Sequence, residues 1–181
     1  MNINKFISLS RYGINTIIGN IYLFLTKNSF FKIGKHIQII GMPFITGINK
    51  LELGDHITIE SNAFIRAEGC VSIGSHCSIA ANFSLYTYNH NYQGKCLPYD
   101  HTNILKKVTI EENVWIGRNV SVLPGVTIGE GAIIGLGSVV TRNIPKLAIV
   151  GGNPAEVLKY RDQQHYNQLK ETIINVDEFK N

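Results

Sequence analysis

The sequence predicts an all-β solenoid, a parallel coil with three short strands per turn. Two columns of residues and one interruption point to it. In steps of six from Leu53 the chain reads Leu53, Ile59, Ile65; after two skipped residues, Ile73, Ile79, Leu85; after a longer gap, Ile110, Ile116, Val122, Ile128, Ile134, Val140. All are aliphatic. Three places after each stands His56, Asn62, Glu68, His76, Asn82, Tyr88, Asn113, Asn119, Gly125, Gly131, Gly137 and Asn143, mostly types that tolerate positive φ. A sharp turn therefore recurs every six residues, the signature of a stacked repeat. The next place is small or aliphatic (Ile57, Ala63, Cys77, Val114, Val120, Val126, Ala132, Ser138), which suits inward packing at a corner. Strands this short cannot form hairpins in that pattern. They wind as a coil with the aliphatic column inside, each turn adding about 4.8 Å.

Residues 1–32 are read as a helical segment, because Ile14, Ile17, Ile18, Ile21 and Leu25 have helical spacing. Its expected role is to cap the first coil, whose sheet edges would otherwise be open; a membrane-surface helix is the alternative. The solenoid is read over 33–145, five to six coils, with Ile33, Ile39 and Ile45 extending the frame forward and two-residue corner insertions at Leu51-Glu52 and Val71-Ser72. The period fails between Asn91 and Lys107, so 91–107 is expected to be a loop thrown out of one corner. Long loops in compact domains are commonly functional. Residues 146–181 are read as a turn, GGNPAE, followed by a helix from Ala155 to Ile173.

The chain has 181 residues, 44% apolar and 17% charged, which fits one globular domain with a weakly charged surface partly hidden in an oligomer. The net charge of +4 is uneven: no acid precedes Glu52, whereas Lys5, Arg11, Lys27, Lys32, Lys35 and Lys50 do. Such an end suits a solvated face, an acidic polymer or an anionic membrane surface. Aromatics are not interleaved with a dense basic patch, so no nucleic-acid partner is expected. Cys70, Cys77 and Cys96 form no CxxC pair, and no metal cluster is readable. The odd cysteine count predicts a reducing, cytoplasmic setting. The basic end would allow contact with the inner face of a membrane.

The hexads IGRNVS, VLPGVT and IGEGAI resemble those of the hexapeptide-repeat acyltransferases. The run NVWIGRNVSVLPGVTIGEGAIIGLGSVVTRNIP, then GGNPAEVL, is similar to the galactoside, maltose and streptogramin acetyltransferases. The resemblance implies a left-handed parallel β-helix, a homotrimer with sites between neighbouring subunits, acetyl-coenzyme A as co-substrate, and transfer of acetyl to a hydroxyl. It places the catalytic histidine just before the extruded loop, at His90. A hydroxyl is a poor nucleophile near neutrality, and neutral imidazole at about 2.6–3.2 Å can take its proton as it attacks the thioester. The resemblance further implies coenzyme contacts at Trp115, Arg118, Leu136, Thr141, Arg142 and Lys159. Arg118 replaces a small polar residue and Leu136 a small one. Glu60 and Glu68 stand where relatives contact the acceptor; Glu68 also breaks the turn column, and Asn89 could orient His90. His56 and His76 are read as turn residues, and His101 as a lesser acceptor contact.

These readings favour a carbohydrate O-acetyltransferase acting on a saccharide or polysaccharide precursor. An antibiotic acetyltransferase would be expected to carry a more apolar loop than NYQGKCLPYDHTN. A zinc hydratase on the same fold needs three converging histidines, and the coils from Ile110 to Pro145 have none. A non-catalytic scaffold would be expected to have lost the loop-edge histidine.

Overall fold

The computed structural model describes residues 3–178, with side chains described for 12–172. Three parallel sheets wrap one core. The first face stacks Lys32–Ile33, Leu51–Leu53, Val71–Ile73, Val108–Ile110 and Thr127–Ile128. The second stacks Gln38–Ile39, Thr58–Ile59, Ser78–Ile79, Trp115–Ile116, Ile133–Ile134 and Ala148–Gly151, and the third Phe44–Thr46, Phe64–Arg66, Ser84–Tyr86, Ser121–Val122 and Val139–Val140. Register is set by the aliphatic column: Ile59 pairs with Ile79, Ile65 with Leu85, Ile116 with Ile134. All twelve residues of the predicted column are at most 1% exposed. Burying each is worth about 1.5–3 kcal/mol, and the stack forms one continuous core.

The corners explain the turn column. His56, Asn62, His76, Asn82, Asn113 and Asn119 have φ between 55° and 61°, and Gly125, Gly131 and Gly137 are also positive. His36, Gly41 and Gly47 carry the pattern into the first coil. At Glu68 the reading shifts: the left-handed residue is Cys70, φ 77°. Leu51 and Val71 are buried in strands. The extra length read at those pairs is taken up in the preceding corners, one of them the short helix Ile48–Lys50.

The helix Ile3–Thr26 lies against the first coil. Gly19 meets it so closely that a Cβ would fall 1.7 Å from the Ile39 carbonyl oxygen. The Gly41 N–H donates to the Asn15 carbonyl at 2.7 Å, and Leu23 packs on the core. Glycine is needed there to let two backbones touch.

The carboxyl end differs from the expected helix over 155–173. Glu156–Tyr160 is a strand, antiparallel to Ala148–Gly151, which itself carries the second face past Pro145. The last parallel strand leaves unpaired backbone groups, and folding back covers them. The helix begins at Gln163, where the Asp162 carboxylate accepts from the His165 N–H at 2.6 Å as its cap. It docks through Tyr166, whose hydroxyl donates to Glu130 at 2.9 Å. Lys170 and Lys146 bracket the same carboxylate at 2.6 and 2.7 Å.

Candidate active site

The extruded loop starts from an antiparallel pair, Tyr88–His90 with Asn103–Leu105, in which His90 faces Asn103. The pair leaves the solenoid at the corner between the third and first faces. Beyond it the loop is knotted by its own polar groups. Asn91 accepts through its carbonyl from Gly94 and Asp100 and donates its amide to Thr102 at 3.1 Å. Asp100 accepts from the Thr102 backbone and hydroxyl, which hold its carboxyl below the usual range. This bonding brings Tyr99 back over the root, its ring stacked on His90 with centroids 3.9 Å apart and planes 7° from parallel. The edge of Tyr88 meets the other side of the cluster at 6.1 Å from His90. The imidazole is thus exposed yet limited in rotation. Asn89 accepts from the His90 backbone N–H at 3.1 Å, so its side chain braces the strand and not the ring.

Glu68 belongs to the same corner. Arg66 reaches its carboxylate at 3.1 Å while lying 4.8 Å over the Tyr88 ring, and the Thr46 hydroxyl donates to it at 2.7 Å. Partial burial pushes the Glu68 pKa up, but hydrogen bonds from Thr46, its own backbone and Arg66 outweigh burial and hold it below the usual carboxylate value. Glu60 lies elsewhere, at the corner between the second and third faces, where it accepts from the Ala81 N–H at 3.1 Å.

The positions expected to contact coenzyme also divide between edges of the prism. Trp115 stands out from the second face, 56% exposed, between Ser78 and Ile133. Arg118 and Leu136 are stacked at the corner between second and third faces, where the Gly137 N–H donates to the Arg118 carbonyl at 2.9 Å. Leu136 is 73% exposed, an apolar side chain held out at a turn. Lys159 pairs with Ile149 on the strand that closes the second face. Thr141 and Arg142 occupy the other corner, between third and first faces. There Arg142 reaches Glu156 at 3.4 Å and lines a shallow cleft of about 290 Å³ with Asn143 and Val157. Within one chain, then, His90 and the Trp115–Arg118–Leu136 group lie on different edges.

His36, His56 and His76 are corner residues whose rings stack at 4.5 and 4.9 Å. His101 is exposed in the loop. Cys77 is buried, its thiol pushed up to about 11 by desolvation. Cys70 is exposed at its left-handed corner, and Cys96 is exposed in the loop. Tyr99, Arg66 and Tyr88 are the residues that sequence reasoning missed. The Asp100-x-Thr102 spacing, which favours a local turn, was the available signal for the loop's shape.

Residues 107–142 match the bacterial transferase hexapeptide (six repeats) family model. Among solved structures, a hexapeptide-repeat-containing acetyltransferase from Vibrio cholerae is 28% identical, with a TM-score of 0.73 over 84% of this chain and 87% of that one. The Vibrio protein has also been solved with acetyl-coenzyme A. Galactoside acetyltransferase in complex with coenzyme A is 26% identical, TM-score 0.70, covering 84% of each chain. A maltose O-acetyltransferase from Clostridium difficile, 24% identical, shares the fold with a TM-score of 0.69 over 86% of this chain and 88% of that one. The repeats fit a left-handed β-helix, as in the resemblance. By its repeat and its fold, the chain is similar to the hexapeptide-repeat acetyltransferases.

Proposed function

We propose that the chain transfers acetyl from acetyl-coenzyme A to a hydroxyl of a carbohydrate, with His90 as general base, in a homotrimer whose sites lie between subunits. The observation that carries the reading is the placement of His90: an exposed imidazole at the root of a closed loop, held by a ring stack on Tyr99. Imidazole is the side chain whose charge changes near neutrality. His90 takes the hydroxyl proton as the acceptor oxygen bonds to the acetyl carbon. Collapse of the tetrahedral intermediate breaks the carbon–sulfur bond, and His90 returns the proton to the departing thiolate. No enzyme-bound acyl group is needed, and neither exposed cysteine adjoins the imidazole in the ring cluster.

Trp115 and Leu136 offer apolar surface for the pantetheine arm. Thr141, Arg142 and Lys159 offer a hydroxyl and cations for the adenine end and its phosphates. The Glu68–Arg66 pair lies two ring contacts from His90, and Glu68 can accept hydrogen bonds from sugar hydroxyls. Trp115 and Leu136 lie away from the edge that carries His90 in the same chain, which favours a site shared by two copies.

The test is steady-state kinetics with a panel of saccharides and antibiotics, together with coenzyme titration of a folded His90→Ala protein. We expect acetylation of saccharides, kcat lower by ~10²–10⁴ in the variant, and little change in coenzyme affinity. A variant keeping more than a tenth of the wild-type kcat would move the role to another base, with His101 next to examine.

A further inference from the structure

The amino-terminal helix presents apolar residues on two sides. One side meets the first coil through Asn15, Gly19 and Leu23. The other carries Ile14, Ile17, Ile21, Phe24 and Leu25, each more than half exposed. Their spacing of three and four residues aligns them in one stripe along the helix. A stripe of large aliphatic and aromatic side chains turned away from the protein body calls for a covering partner.

Charge decides which partner. No acidic residue occurs before Glu52. Lys27 lies at the end of the stripe, its ammonium 5.8 Å from the Phe24 ring centre, and Lys35 is exposed on the first coil. Lys32 is engaged with Glu52 at 2.9 Å, and Lys50 with the Glu68 carbonyl at 2.9 Å. Lys5 and Arg11 belong to the same helix by sequence; their side chains lie outside those described. A second copy of the helix could interlock with a three-four stripe. It would, however, bring like charges together with no acid at the flanking positions to pair with them. A surface of anionic lipid satisfies both features, taking the apolar stripe into its acyl boundary and the cations among its headgroups. Among the described residues no helix is long and apolar enough to cross a membrane, so the contact is one of lying on the surface.

We infer that the helix Ile3–Thr26 docks the protein on an anionic lipid surface through the stripe Ile14, Ile17, Ile21, Phe24 and Leu25. The inference is independent of the acetyl-transfer reading.

The experiment is co-sedimentation of the full chain with vesicles of pure phosphatidylcholine and with vesicles containing about a quarter phosphatidylglycerol. We expect binding to the anionic vesicles, weakened by salt, and at least tenfold weaker on pure phosphatidylcholine. Ile17→Asp with Ile21→Asp, checked for an unchanged circular dichroism spectrum and melting temperature, should lose the binding by at least tenfold. Should that pair unfold, Lys27→Glu with Lys35→Glu, which leaves the apolar face intact, should still weaken anionic binding severalfold. Failure of the wild-type chain to sediment with anionic vesicles overturns the inference. So does undiminished binding by the folded Ile17→Asp/Ile21→Asp variant, or a fall in its oligomer mass without lipid binding by the wild type, which would make the stripe a seam between copies.

Discussion

A single left-handed backbone position repeated along the chain is what converts a run of short strands into a solenoid. Asn82 shows how the residue type matters. Its φ is 61°, and its side chain accepts from Asn62 at 3.1 Å and donates to Asn119 at 2.8 Å, a ladder along one edge. Asn82→Val should destabilise the protein by about 2–3 kcal/mol, combining left-handed strain with the lost bonds, measured by urea unfolding against Asn82→Gly, which keeps the backbone freedom. The cysteines give a contrasting prediction. Cys77 has its thiol pushed up to about 11 and is buried, so it is a poor nucleophile. Replacing Cys70 and Cys96 by Ser and Cys77 by Ala should leave kcat within about tenfold, a change below ~1.4 kcal/mol. A collapse of activity in the folded Cys96→Ser protein would require a covalent mechanism instead.

At the scale of elements, the carboxyl-terminal helix is fastened by one carboxylate. Partial burial would raise the pKa of Glu130, but hydrogen bonds from Lys146, Lys170 and Tyr166 outweigh it and bring it down to about 2. The Tyr166 hydroxyl is pushed up to about 12 by burial and by its bond to Glu130. Because the folded value of Glu130 lies below the ordinary 4.5, its stabilising contribution is complete above that pH and is lost as pH falls towards 2. Acid titration followed by hydrogen exchange should therefore show the Gln163–Glu178 helix losing protection in this window before the coils do. Glu130→Gln should bring that early loss to neutral pH; equal protection in variant and wild type would contradict the role. The strands and their inward column were legible in the sequence because the six-residue period is local and repeats. The closing strand Glu156–Tyr160 was not, since what selects it is an open sheet edge built by residues far back in the chain. The stack of Tyr99 on His90 was hidden for the same reason: the loop's Asn91, Asp100 and Thr102 fold it back, and no periodicity records that.

For the whole molecule, the period places the proposed base and the proposed pantetheine contacts Arg118 and Leu136 on separate edges of a three-sided prism. His90 emerges between the third and first faces, whereas Arg118 and Leu136 stack between the second and third. A rigid, closely hydrogen-bonded coil cannot bring two edges together by bending, so the reaction we propose requires a neighbouring copy. Sedimentation should show a trimer, and an active monomer would contradict it. The most direct measurement of that claim is complementation between two inactive chains. One carries His90→Ala; the other carries Leu136→Trp, which fills the proposed path of the pantetheine arm. Each alone should be nearly inactive. Unfolded together in equal amounts and refolded, they should regain about a quarter of wild-type activity, because random assembly of a cyclic trimer joins an intact His90 to an intact Leu136 edge at about one site in four. Mixed trimers no more active than either parent would contradict a site built between subunits.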